Sequence, residues 1–122
     1  MTLQECYQAL GGDYDEVLRR LMTPKLVDKF VGKFLADGSY LALCTAMEAG
    51  QRQEAFRAAH TLKGVCQNLG FGSLLRAVEP LTELLRPETA QIPEEAAALL
   101  PLVRQRYDET VQTIQRYQQS RA

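Results

Sequence analysis

The sequence predicts an all-α fold, an antiparallel four-helix bundle with additional short helices at its N-terminus. Three observations carry that prediction. Every strong hydrophobic period in the chain is helical, and no run alternates apolar with polar residues as a half-buried strand would. Helix start and stop signals recur along the whole length. The helical stretches are mostly joined by short turns, and long amphipathic helices joined in that way bury their stripes best side by side.

The elements follow in order. "TLQECYQALGG" opens on Thr2 with Glu5 three residues later, the pattern of a capping box, and stops at Gly11-Gly12. "DYDEVLRRLM" repeats the device with Asp13 and Glu16 and sets Tyr14, Val17, Leu18 and Leu21 on one side. The stretch 24–37 has Thr23 as its N-cap and Pro24 at the first helical position, where a missing N–H costs nothing. A helix over 39–49 starts at Ser39 and stops at Gly50; the next runs from about 52 to 69 and is closed by Gly70. Ser73 is the expected cap of the following helix, whose stripe is Leu74, Val78, Leu81 and Leu85. Pro80 lies inside it, removes one backbone donor and predicts a kink. The connector "RPETAQIP" leads to a last helix over about 94–118, with Pro101 bending or separating its first turns. The polar tail "QRYQQSRA" is expected to fray.

This organisation reads as a single domain over 1–122, with 1–22 a helical cap and 24–118 the bundle. A chain of 122 residues can bury a core without metals or disulfides. Its net charge of −1 argues against nucleic acid, which calls for a basic excess. No apolar run approaches a membrane span, and no basic-then-apolar start suggests a signal peptide. The three cysteines, Cys6, Cys44 and Cys66, are odd in number and scattered, which suits a reduced, cytoplasmic protein rather than a stapled secreted one.

The stretch "AFRAAHTLKGVCQNLGFGSL" holds the lone histidine, His60. Ala55, Ala59, Leu62, Cys66 and Leu69 form the inward stripe of this helix. At about 100° per residue, His60 lies roughly 140° from the centre of that stripe, on the outside. Gly64 and Gln67 stack along the His60 edge and Lys63 flanks it. Gly64 is the unusual residue, because a glycine in a helix interior costs about 0.8–1.0 kcal/mol relative to alanine and no local turn requires it here. Clearing a side chain beside an imidazole lets another surface approach. Lys63 adds a positive charge suited to an anion.

Other uses of the histidine fit less well. A Cys66–His60 nucleophilic pair fails, because six residues set the two about 120° apart and roughly 9 Å along the axis. A di-metal bundle site needs Glu-x-x-His pairs, and Arg57 stands at the i−3 position. No glycine-rich phosphate loop precedes a helix. Any phosphoryl group therefore comes from another protein and goes to another.

The segment "AHTLKGVCQNLGFGSL" resembles the signature of histidine-containing phosphotransfer (HPt) domains: an Ala-His pair, an apolar residue then Lys-Gly, and a second glycine ten residues after the histidine. The matching positions are Ala59, His60, Leu62, Lys63, Gly64, Leu69, Gly70 and Leu74, and the chain has the size of a free-standing member. The resemblance implies a phosphocarrier in a multistep phosphorelay rather than an enzyme. His60 would be the phosphorylated nucleophile, Lys63 would neutralise the phosphoryl oxygens, and Gly64 would admit the partner. Gln67 reads equally as a donor to the phosphoryl group or as a solvated polar residue. The implied partners are response-regulator receiver domains and a hybrid histidine kinase, with Mg²⁺ and catalytic carboxylates supplied by the receiver and no cofactor or metal on this chain, expected to act as a monomer. The competing reading is a helical interaction module, an HPt-like adaptor without phosphoryl chemistry. A general-base enzyme is disfavoured by the absence of a recognisable carboxylate to orient the imidazole.

Overall fold

A computed structural model describes residues 1–88 and 90–121. Among them are α1 (Leu3–Ala9), α2 (Tyr14–Leu21), α3 (Pro24–Lys33), a 3₁₀ turn (Phe34–Ala36), α4 (Ser39–Glu48), α5 (Arg52–Leu69), α6 (Gly72–Leu85) and α7 (Glu94–Ser120), with no strand. Consecutive long helices pack on one another, α4 on α5, α5 on α6 and α6 on α7. They form the helical bundle that the periodicity predicted.

The helix starts obey local chemistry. Thr2 accepts from the Glu5 amide at 3.1 Å while the Glu5 carboxylate accepts from the Thr2 amide at 2.9 Å, a complete capping box. Asp13 and Thr23 accept from the third residue of their own helices. Gly70 ends α5 in the left-handed region at φ 70°, which lets the Phe71 amide reach back to the Cys66 carbonyl at 3.0 Å. The apolar stripes form one core. Leu74, Val78, Leu81 and Leu85 of α6 are fully buried, as are Val103 and Ile114 of α7. Each such aliphatic side chain contributes about 1.5–3 kcal/mol on burial.

Several boundaries differ from expectation. Ser73 does not cap α6. The helix begins at Gly72 with Phe71 in the cap position, and the Ser73 amide instead donates to the Leu10 carbonyl at 3.0 Å. The reason lies far away in sequence: the α1–α2 turn and the α5–α6 turn meet backbone to backbone. A Cβ added at Gly12 would overlap the Gly70 carbonyl oxygen, and one at Gly72 would overlap that of Gly11. Helix α3 tightens to 3₁₀ geometry after Lys33 rather than continuing to 37. Neither internal proline divides its helix: α6 runs unbroken through Pro80, and α7 through Pro101. The C-terminal end does not fray up to Arg121. Tyr117 is buried and donates to the Asp28 carboxylate at 2.7 Å, and Arg121 pairs with the other oxygen of that carboxylate at 2.7 Å. Ala122 lies outside the described residues.

Candidate functional site

Helix α5 presents its predicted inner face to the core: Ala55, Ala59, Leu62 and Cys66 are fully buried and Leu69 nearly so. His60 and Gln67 are exposed. Space is open around Gly64, one turn after the imidazole. A Cβ built there meets no atom within 4 Å apart from the helix's own backbone. The glycine is therefore not needed for packing inside this chain, and the surface beside His60 is left low.

Three residues that the sequence did not single out form a chain of contacts that starts at the imidazole. Phe56, one turn earlier on α5, stacks near-parallel on the His60 ring, with centroids 5.9 Å apart and planes 13° from coplanar. The Arg86 guanidinium, just past the end of α6, lies 5.2 Å over the Phe56 ring. Glu83, in the last turn of α6, accepts two hydrogen bonds from Arg86, at 3.0 Å from Nε and 2.9 Å from Nη2. The same carboxylate faces the Lys63 ammonium at 4.0 Å. The Arg86 hydrogen bonds, reinforced by Lys63 and His60, hold the Glu83 carboxyl below its usual range. A fork of two cations on one carboxylate thus stands beside an exposed imidazole.

No sequence signal could have gathered this set. Phe56 shares the His60 edge at i−4, but Glu83 and Arg86 come from the following helix and reach His60 only through the α5–α6 packing.

Lys63 is not a free solvated cation; its side chain is 20% exposed and it is paired to Glu83. Gln67 has its carbonyl oxygen accepting from Arg20 at 2.9 Å, and Arg20 also donates to the Asn68 carbonyl at 2.8 Å. These bonds cover carbonyls that the end of a helix leaves without intrahelical partners. Phe71, just past the end of α5, is fully buried and packs edge-on against Phe34 at 5.0 Å. Arg57, on the other edge of α5 from Lys63, pairs with Glu54 at 3.2 Å. Cys66 faces away from His60 in the core, and burial pushes its thiol up to about 12. Among the described residues, no three His, Cys, Asp or Glu side chains converge where they could hold a metal ion. No helix among them is long and apolar enough to cross a membrane.

The helical bundle agrees with a comparison against known families. The Hpt domain model matches residues 33–117. The chain belongs to the Hpt domain family. Hpt domains take part in phosphoryl transfer in histidine-based signalling and are phosphocarriers, interacting with receiver domains and kinases in phosphorelays. No curated protein and no solved structure matches the chain significantly. The matched span leaves α1, α2 and most of α3 outside it, although Tyr7 and Arg20 from α1 and α2 bond the end of the histidine helix.

Proposed function

We propose that this protein is a phosphocarrier of a multistep phosphorelay, receiving a phosphoryl group on His60 from the aspartyl phosphate of one receiver domain and passing it to another. The observation that carries the reading is the exposed His60 beside open space at Gly64, on the outer edge of a helix whose opposite face is fully buried. A neutral imidazole carries a nucleophilic lone pair on its unprotonated ring nitrogen. The unprotonated ring nitrogen forms the N–P bond as the acyl-phosphate O–P bond breaks. The electron pair of that bond stays on the receiver's carboxylate, and the other ring nitrogen keeps its proton. Transfer to the next receiver runs the same exchange in reverse.

Catalysis of this kind rests on positioning and charge neutralisation rather than on covalent help from many groups. Lys63 sits one turn from His60 and supplies charge to the phosphoryl oxygens. Gly64 admits the receiver's loops, and Gln67 stands further along the same edge as a donor to the group in transit. The Mg²⁺ and the catalytic carboxylates belong on the receiver. The protein as purified is incubated with receiver domains charged from acetyl phosphate, and label is followed by intact mass. Wild type takes up one phosphoryl group and His60→Gln takes none. Wild-type labelling of His60→Gln overturns the assignment, and partner binding that persists without any labelling of the wild type favours the adaptor reading instead.

A further inference from the structure

The two cations on the α6 side of His60, Lys63 and Arg86, are already engaged. Glu83 holds Arg86 through two hydrogen bonds and faces Lys63 at 4.0 Å, while Arg86 lies over the ring of Phe56, which in turn stacks on His60. The other ion pair on α5, Glu54 with Arg57, flanks His60 on the side away from Lys63 and adds no net charge there. Apart from the neutral Arg57–Glu54 pair, the formal charges beside the bare imidazole are two cations, Lys63 and Arg86, and one anion, Glu83. A phosphoryl group brings close to two negative charges. The two cations then face three negative charges, one of which, on Glu83, belongs to the protein and does not leave with the group.

We infer that Glu83 sets how readily His60 gives up its phosphoryl group, by holding Lys63 and Arg86 while the imidazole is bare and by competing for them, and repelling the phosphoryl oxygens, once the group has arrived. This rests on the phosphocarrier reading of His60 and deepens it. Glu83 makes no bond to the reacting atoms; it is a positioning residue that acts through Lys63 and Arg86. Its carboxylate makes the phosphorylated form a donor rather than a store. A carrier with two cations and no opposing carboxylate holds the group longer and passes on less of it. The transfer step is unchanged: the N–P bond of His60 breaks, an O–P bond forms on the receiver's aspartate, and the bonding pair returns to the ring nitrogen.

The experiment measures a partition. A receiver domain that exchanges phosphoryl groups with the wild-type protein is charged from acetyl phosphate, freed of the small phosphodonor and mixed with wild type, Glu83→Gln or Glu83→Asp. The ratio of phosphorylated carrier to phosphorylated receiver is read by intact mass at equilibrium. Glu83→Gln is isosteric and the position is exposed, so the fold is kept. That variant raises the ratio about two- to fivefold, the range expected for one charge at a solvent-exposed site. Glu83→Asp stays close to wild type, and added salt narrows the gap between wild type and Glu83→Gln. A structural defect would move neither the salt dependence nor the Asp rescue in this way. A ratio unchanged or lowered in Glu83→Gln overturns the inference while leaving the phosphocarrier intact. A wild type that no receiver labels overturns both.

Discussion

The Tyr7 hydroxyl donates to the Leu69 carbonyl oxygen across 2.6 Å in the protein interior, and so ties α1 to the last turn of α5. Tyr7 is fully buried. Tyr7→Phe keeps the ring and removes the donor. Urea denaturation is expected to show a loss of about 1–3 kcal/mol, the cost of a buried carbonyl left without its partner. Phosphotransfer is expected to stay near wild type, because His60 lies more than two turns away on the outer face.

Gly64 separates stability from transfer. Its surroundings are open, so Gly64→Gln fits without a clash and replaces a poor helix former. Thermal unfolding of the variant should match or exceed wild type, by up to about 1 kcal/mol. Transfer from a charged receiver should fall about a hundredfold, the scale of loss when a small displacement spoils a reacting geometry. Wild-type transfer rates would show that the cleared edge is not an approach path.

Two of the three buried thiols, Cys6 and Cys66, make the protein sensitive to alkali. Burial raises Cys66 from 9.0 to about 12 and Cys6 from 9.0 to about 11. Below pH 9 the folded and unfolded chains hold the same thiol protons, and the buried thiols leave stability flat. Above it the unfolded chain releases them and the folded one does not, so stability falls until the folded thiols ionise at about 11 and about 12. Each thiol steepens the fall by about 1.4 kcal/mol per pH unit. Urea midpoints measured across that window should show a shallower slope for Cys66→Ala than for wild type.

The meeting of the two turns is equally specific. Gly12→Ala would drive its methyl against the Gly70 carbonyl and towards the Tyr7 ring. A loss of about 1–3 kcal/mol is expected from such overpacking, seen as a lowered melting temperature. An unchanged melt would mean that the two turns part without cost.

Much of this molecule could be read from its residues one after another. Thr2, Asp13 and Thr23 announce helix starts because their side chains satisfy amides only three positions away. The stripe from Ala55 to Leu69 fixes the inward direction of α5 by angle alone, and with it the exposure of His60. What escaped reading depends on residues brought together by packing. Ser73 looks like a cap, yet the glycines of the first turn press on that loop and start the helix at Gly72. The tail looks polar and loose, but Asp28, some ninety residues earlier, holds both Tyr117 and Arg121. Lys63 was legible as a charge beside the imidazole. That Glu83 already holds it was not, since α6 gives no local sign of the side it turns to α5. Neither internal proline ends its helix, because each lies on an exposed face where the freed carbonyl can be solvated.

The bonds from Tyr7 and Arg20 bear on how separable the phosphoacceptor helix is. The carbonyls of residues 67–69, at its final turn, are met by side chains from the first twenty residues of the chain. A graft of residues 33–117 into another scaffold would carry the imidazole but not the two donors that finish its helix. Such a transplant would need a new tyrosine and arginine from its host, or the helix would unwind from the end that follows Gln67.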